Sequence, residues 1–161
     1  MTFKLWLAID PGINGAIAAV NDQGRLVTIR DMPVVKMAVG KSIKSRISPE
    51  LLSMYLRNHL GDTAVVEQVS AMPGQGVSSM FSFGESFGVI KGCLAGVGIQ
   101  YQTITPAKWK KDMGINASKD GARAMAIQTW PSWAETFARV KDDGRAEAAL
   151  LALWLQQRGK S

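Results

Sequence analysis

The sequence is poor in cysteine and histidine, with Cys93 and His59 as the single examples among 161 residues. One cysteine excludes a disulfide framework and a cysteine-based zinc site, and it suggests a reducing compartment. No apolar run of about 18 residues is free of charged and glycine breaks, so we expect no membrane-spanning helix. Residues 1–9 predict a strand and lack a signal-peptide pattern. We expect a cytoplasmic location, or the host cytoplasm or an organelle if the protein is viral or organellar.

Acidic residues are also scarce, since 13 Asp and Glu face 19 Lys and Arg, which gives a net charge of +6 and a pI of about 9.7. A hydrophobic content of 47% is enough for one packed domain over residues 1–161. The basic surface suits an anionic partner such as nucleic acid or an anionic membrane, although a solvated face would give the same charge. The basic residues concentrate in two stretches: Lys36, Lys41, Lys44 and Arg46, then Lys108, Lys110, Lys111, Lys119 and Arg123.

The hydrophobic pattern predicts an α/β fold. Strands are expected at 3–9, 15–20 and 25–32, where the spacing suits an antiparallel meander, and at 63–69 and 99–104. Residues 36–46 are polar and predict a mobile loop. Helices are expected from Ser48-Pro49 to Gly61, over 80–97, from Thr105-Pro106, over 118–130, and over 142–157.

Four acidic residues stand at positions that structure alone does not demand. Asp10 and Glu67 end two predicted strands, and Asp143 and Glu147 share the apolar face of the last helix at 100° per residue. Alternatives remain for three of them: a turn-forming role for Asp10, a helix-start preference for Asp143, and an ion pair for Glu147 with Arg145 or a lysine. Converging carboxylates need a counter-charge, and oxygen-only ligands favour Mg²⁺ or Mn²⁺.

Three short segments then resemble the acidic motifs of RuvC-type Holliday junction resolvases, in the same order and at similar separations. They are residues 9–12 (Ile-Asp-Pro-Gly), 66–69 (Val-Glu-Gln-Val) and 142–148 (Asp-Asp-Gly-Arg-Ala-Glu-Ala). The resemblance covers nearly the whole chain. It implies an RNase H-like fold with a mixed five-stranded sheet, three antiparallel strands followed by two parallel ones, flanked by helices. It also implies a homodimer that makes paired nicks at a four-way DNA junction.

The resemblance further implies a site of two Mg²⁺ ions, with Mn²⁺ as a possible substitute, held by Asp10, Glu67, Asp143 and Glu147. The last motif of the family usually has two Asp three residues apart, whereas Asp143 and Glu147 are four apart, as in some phage and organellar members. Asp142 is therefore an alternative fourth ligand.

Family members also place basic and aromatic side chains on DNA. Lys119 fits a catalytic lysine near the scissile phosphate, and Lys110 fits a second basic position that grips DNA. Phe81 and Phe83 are candidates for an aromatic contact near the junction centre, or else for core packing. The other predicted DNA-binding residues are Lys41, Lys44, Arg46, Lys108, Lys111 and Arg123.

The predicted helix at 80–97 carries glycine at every fourth position, at Gly84, Gly88, Gly92 and Gly96. Each glycine destabilises an isolated helix by about 1 kcal/mol relative to alanine. A close approach by another surface would compensate, and we expect this ridge at a homodimer interface or against the protein's own sheet.

Three other classes of function compete with the nuclease. A sugar kinase or actin-like ATPase needs two copies of the fold, and this chain has one. A non-catalytic junction-binding protein would not need four acidic residues. A nuclease of the same fold that acts on an RNA–DNA hybrid or a flap stays open, because catalytic carboxylates do not encode the shape of the substrate.

Overall fold

The structure, a computed structural model, describes residues 3–118 and 120–159 and is built around a five-stranded sheet. Its strands are β1 (Trp6–Asp10), β2 (Ala16–Val20), β3 (Leu26–Asp31), β6 (Thr63–Glu67) and β7 (Gln100–Ile104). The strand order is β3-β2-β1-β6-β7, in which β1, β2 and β3 are antiparallel and β6 and β7 run parallel to β1. The predicted mixed sheet is confirmed.

In the described part of the chain, five α-helices flank the sheet: α1 (Pro49–Leu56), α2 (Val77–Val97), α3 (Pro106–Asp112), α4 (Gly121–Thr129) and α5 (Asp143–Arg158). Short 3-10 helices cover Arg57–His59, Pro131–Phe137 and Val140–Asp142. α1 begins as its sequence predicts, because the Ser48 hydroxyl accepts a hydrogen bond from the Leu51 amide at 3.2 Å. Within the described residues, no helix is both long and apolar enough to cross a membrane.

Alternate residues of β1 point to opposite sides of the sheet and supply two separate cores. Leu7 and Ile9 pack in the core beneath α1 and α2, whereas Trp6 and Ala8 pack in the core that includes residues of α3, α4 and α5. By the same alternation Asp10, two residues after Ala8, is on the α5 side of the sheet.

The last helix differs from its prediction. A single apolar stripe was expected, but α5 is buried on most of its circumference, at residues that include Ala146, Ala149, Leu151 and Leu155. It packs against β1 and β2 on one side and against α4 on another. The placement of its acidic residues therefore follows from where the first turns of α5 meet β1, and the helical periodicity alone does not determine it.

The predicted mobile loop at 36–46 is wrong. β4 (Val34–Val39) and β5 (Ser42–Ile47) form a two-stranded hairpin outside the main sheet, paired from Val34–Ile47 to Val39–Ser42. Gly40 turns the chain with φ +61°, a conformation that glycine adopts without strain. Interspersed lysines hid the Val, Met and Ile residues that give these strands their β propensity.

The glycine ridge of α2 is exposed. A Cβ added at Gly84, Gly88, Gly92 or Gly96 would meet no atom within 4 Å among the described residues. The expectation that the ridge packs against the protein's own sheet is therefore wrong.

Candidate active site

Asp10 and Glu67 lie side by side where two neighbouring parallel strands end. Ile9 of β1 is in register with Val66 of β6, so the next residue of each strand carries a carboxylate. Both side chains follow the alternation of Ala8 and Val65, which belong to the core on the α5 side. The sheet thus presents two carboxylates to the first turns of α5.

Glycine lets α5 come close to this edge of the sheet. A Cβ on Gly144 would lie 2.6 Å from the carbonyl oxygen of Asn14 and 3.0 Å from Oδ2 of Asp10. Such distances are too short for any other residue unless the backbone shifts. The approach brings Glu147 to the sheet, and one carboxylate oxygen from each of Asp10, Glu67 and Glu147 lies within 4.8 Å of the others.

Asp143 lies beside these three residues but is not part of the 4.8 Å cluster. Its negative charge contributes to raising the pKa of Asp10, which places it within electrostatic reach. Its Oδ1 is buried and has no hydrogen-bond partner in the described part of the chain. A buried carboxylate oxygen without a donor is costly unless a cation satisfies it.

The site disfavours the charged forms of its own carboxylates. Burial raises the pKa of Asp10 well above its usual range, and the charges of Glu67 and Glu147 add to the effect. Burial also raises the pKa of Glu67, against the opposing hydrogen bond from Trp109. Oxygen-only donors that repel one another form a suitable centre for a hard divalent cation.

Two consecutive residues of α3 hold two of these carboxylates. Trp109, which is fully buried, donates its indole N–H to Oε2 of Glu67 at 2.7 Å. Lys110 donates from Nζ to Oε1 of Glu147 at 2.5 Å. Burial opposes charge on Lys110, but the bond to Glu147 and the nearby carboxylates outweigh it, and the pKa of Lys110 is raised.

Trp109 was missed in the sequence because nothing in its spacing distinguishes it from a core tryptophan. Lys110, for which a DNA contact was expected, bonds Glu147 of the carboxylate cluster, and its contact with DNA stays a prediction. The two alternatives for Glu147 are therefore compatible, since it forms an ion pair with a lysine while it converges with Asp10 and Glu67.

Asp142 has a different set of partners. Its side chain, 2% exposed, accepts hydrogen bonds from the backbone amide and the guanidinium of Arg139. These bonds lower the pKa of Asp142. Arg145 lies 3.5 Å from Asp142 and forms two 2.7 Å bonds with Asp31 at the end of β3. This network ties the start of α5 to the sheet, and it engages both carboxylate oxygens of Asp142, which is not among the residues of the 4.8 Å cluster.

The two candidate aromatic residues are both exposed, Phe81 at 70% and Phe83 at 44%, so the core-packing alternative is wrong. Phe83 lines a cleft of about 750 Å³ that also reaches Asp10, Glu67 and the loop after β6. Phe81 is not among the residues that line this cleft.

The predicted DNA-binding basic residues are distributed over two regions. Lys108 and Lys111 are exposed on α3, where Lys108 pairs with Asp112 at 2.8 Å. Arg123 is largely buried, pairs with Asp120, and donates to the carbonyl groups of Phe137 and Ala138. Lys119 lies outside the described residues.

The second region is the β4–β5 hairpin, where Lys41 and Lys44 are exposed. Arg46 donates to Ser82 Oγ at 3.0 Å and lies 3.4 Å from Glu85. These contacts connect the base of the hairpin to α2.

The sheet order and the flanking helices define an RNase H-like fold, and the carboxylate cluster is a candidate divalent-metal centre within it. The chain is similar to Thermus thermophilus RuvC in complex with a Holliday junction substrate, with a TM-score of 0.65 and 15% identity over 96% of each chain. A second Thermus thermophilus RuvC structure gives a TM-score of 0.52, with 15% identity over 95% of each chain. The predicted resemblance to RuvC-type resolvases is confirmed at the level of the fold.

At the level of sequence, 91 residues are 31% identical to the chloroplastic Holliday junction resolvase MOC1 of Chlamydomonas reinhardtii. The match covers 55% of this chain and spans a tenth of the length of that relative. No protein-family model matches the chain.

The hydrogen bond from Trp109 to Glu67 predicts a positioning role. Trp109→Phe keeps an aromatic side chain, although a smaller one, and removes the N–H donor, so Glu67 becomes free to rotate and the affinity for Mn²⁺ should fall about 10-fold, the lower end for partners that orient metal ligands. Trp154→Phe is the matched control, because its indole N–H donates to Asp112, outside the cluster. Calorimetric titration of Mn²⁺ measures both, and equal affinities in Trp109→Phe and wild type would contradict the role.

The repulsion among the carboxylates predicts a pH-dependent stability. Because its folded pKa is raised, Asp10 destabilises the metal-free protein increasingly as pH rises from its unfolded pKa through its folded pKa. Asp10→Asn should therefore be more stable than wild type in EDTA, by a margin that grows as pH rises above about 4, the ordinary pKa of an unfolded aspartate. Urea unfolding measures this margin, with exposed Glu135→Gln as the control. An Asp10→Asn variant that is no more stable at high pH would refute the account.

Proposed function

We propose that this chain is a divalent-metal-dependent endonuclease that resolves four-way DNA junctions, with residues 1–161 forming one RNase H-like nuclease domain. The observation that carries the proposal is the convergence of Asp10, Glu67 and Glu147, with Asp143 beside them, at one edge of a fold shared with RuvC. Phosphodiester hydrolysis is the chemistry that such an acidic centre supports on a basic surface.

The substrate class is supported by the proteins that this chain is similar to. One is a RuvC in complex with a Holliday junction substrate, and another is a Holliday junction resolvase. Another branched substrate, such as a flap, or an RNA–DNA hybrid would use the same carboxylates, so substrate preference has to be measured.

Asp10, Glu67, Asp143 and Glu147 would hold two Mg²⁺ ions, or Mn²⁺ in their place. The donors fit, because all are carboxylates, Asp143 has a buried oxygen without a partner, and burial with like charges disfavours ionised Asp10. When bound, such ions activate a water molecule and stabilise the leaving oxygen of a phosphodiester.

The protein's own groups prepare the site. Trp109 fixes one oxygen of Glu67, and Lys110 orients Glu147 while its charge offsets part of the repulsion. Lys119 is proposed to act at the scissile phosphate, as the resemblance to the family implies. Phe83 is positioned to contact a nucleotide in the cleft that reaches Asp10 and Glu67. The further DNA contacts proposed are Lys41, Lys44, Arg46, Lys108, Lys111, Arg123 and Phe81.

Substitutions in the cluster should separate cleavage from binding. Asp10→Asn, Glu67→Gln and Glu147→Gln are each expected to lower the single-turnover rate on a labelled four-way junction at least about 100-fold, or 2.7 kcal/mol of barrier. Binding in EDTA should persist, because each change removes negative charge near DNA. Asp142→Asn is the contrast. Loss of the Asp142 carboxylate should lower the thermal stability of the protein and should reduce the cleavage rate less than the cluster substitutions do.

The same assay tests the substrate. Junction, duplex, flap and RNA–DNA hybrid are compared with and without Mg²⁺, and wild type should cut the junction preferentially. A preference for the hybrid or the flap would favour the alternative nuclease. Cluster variants that cut at near wild-type rate, or an Asp142→Asn variant that loses more activity than Glu147→Gln, would overturn the proposed site.

We further propose a homodimer with the glycine ridge of α2 at or near its interface. A four-way junction has two equivalent scissile strands, which a pair of active sites related by a two-fold axis would match. The ridge is exposed, and nothing in the described chain covers it. The cellular location stays a prediction from the sequence.

Bulk on the ridge should disrupt the dimer without unfolding the protomer. Because a Cβ at Gly88 or Gly92 meets no atom within 4 Å, the double leucine variant should fold as a monomer that nicks one strand per encounter. Sedimentation and a nicking assay measure this, and Gln128→Leu on the exposed side of α4 is the control. If the double variant remains a fully active dimer, the glycine ridge is not part of the dimer interface.

A further inference from the structure

The β4–β5 hairpin is fixed at its base and projects beyond it. The Ser48 amide donates to the Pro33 carbonyl at 2.9 Å, and Arg46 binds Ser82 and Glu85 of α2. Each strand has six residues, so the paired ribbon is about 20 Å long. Its strands are not part of the five-stranded sheet.

The hairpin leaves the sheet at the end of the strands that carries the carboxylate cluster. Asp31 at the end of β3 is in register with Ala16 of β2, and Ala16 is in register with Asp10 of β1. β4 begins at Val34, three residues after Asp31. The base of the hairpin is therefore on the same edge of the sheet as the carboxylate cluster.

The ribbon combines uncompensated positive charge with exposed apolar side chains. Residues 32–49 contain no Asp or Glu. Lys36, Lys41 and Lys44 are exposed, and none of them forms an ion pair within residues 3–118 and 120–159. Met37 is 52% exposed and Ile43 is 75% exposed. Nothing in the described chain accounts for this surface.

The positive charge of the hairpin indicates which kind of partner covers this exposed surface. A second copy of this chain docked ribbon to ribbon would bring lysines against lysines, and like charges oppose such a contact. A DNA duplex offers phosphates to the lysines, and its major groove admits a two-stranded β-ribbon whose apolar side chains can contact bases and sugars.

We propose that the β4–β5 hairpin lies in a groove of a duplex arm and holds that arm against the end of the sheet that carries the carboxylate cluster. The inference deepens the proposed nuclease function, because it assigns the hairpin to duplex DNA beyond the cut site. A ribbon of about 20 Å covers roughly six base pairs at about 3.4 Å each.

The salt dependence of binding tests the lysines. The triple variant Lys36→Ala, Lys41→Ala and Lys44→Ala should flatten the slope of log K against log salt by up to about 2.7, at about 0.9 for each phosphate that a lysine no longer neutralises. The control removes the same charge from the opposite edge and its neighbouring loop, at Lys4, Arg25 and Arg57. Both variants are titrated in EDTA against a linear duplex and against a four-way junction.

Hydroxyl-radical footprinting locates the ribbon. Wild type should protect a segment of about six base pairs on an arm, and the lysine triple should lose that protection while the control keeps it. Met37→Ser with Ile43→Ser should weaken binding of the same arm without changing the salt slope. Equal slopes and footprints for the lysine triple and the control would overturn the proposal.

Two further outcomes have separate meanings. If Met37→Ser with Ile43→Ser dissociates a dimer in sedimentation and leaves arm protection intact, the ribbon is an interface between copies and the proposal is wrong. If the lysine triple loses the arm footprint but wild type never cuts a junction, the ribbon assignment stands and the nuclease function fails.

Discussion

The close approach of α5 to the end of β1 is the constraint on which the site depends. Gly144 permits it, and the Arg145–Asp31 and Arg139–Asp142 pairs hold the start of α5 in place. The approach brings together partly buried carboxylates that repel one another, and Lys110 forms an ion pair with one of them, Glu147. Such a site is unfavourable for folding by itself, and the divalent cations proposed above would remove this cost.

Negative and positive charges are concentrated in two neighbouring parts of the protein. Acidic groups converge at the edge of the sheet, while the hairpin that leaves the same edge has no acidic residue and three exposed lysines. A duplex held by the hairpin would bring phosphates toward a pocket that repels them until cations bind. Binding and cleavage are therefore expected to depend on different residues, with salt acting on the first and divalent cations on the second.

Local sequence patterns predicted the five strands of the sheet, because its central strands are apolar runs ended by Asp10 and Glu67 or by turns, whereas the family resemblance implied the parallel pairing. They also selected Asp10, Glu67, Asp143 and Glu147 as candidate site residues, and the structure brings Asp10, Glu67 and Glu147 together with Asp143 beside them. Contacts between distant elements were beyond them: no spacing rule connects Trp109 to Glu67, or Arg145 to Asp31. The hairpin was missed because its lysines gave the segment the composition of a polar loop. The prediction of a single apolar face on α5 was wrong because its alanines let the helix pack on several sides.

The central claim is that the four carboxylates form one metal centre at the cut site. A crystal structure of the wild-type protein with a non-cleavable four-way junction and Mn²⁺ tests it most directly, through the anomalous signal of manganese. The account predicts peaks coordinated by Asp10, Glu67, Asp143 and Glu147, next to a backbone phosphate of the junction. Manganese bound elsewhere, or a junction whose phosphates lie away from these carboxylates, would contradict it.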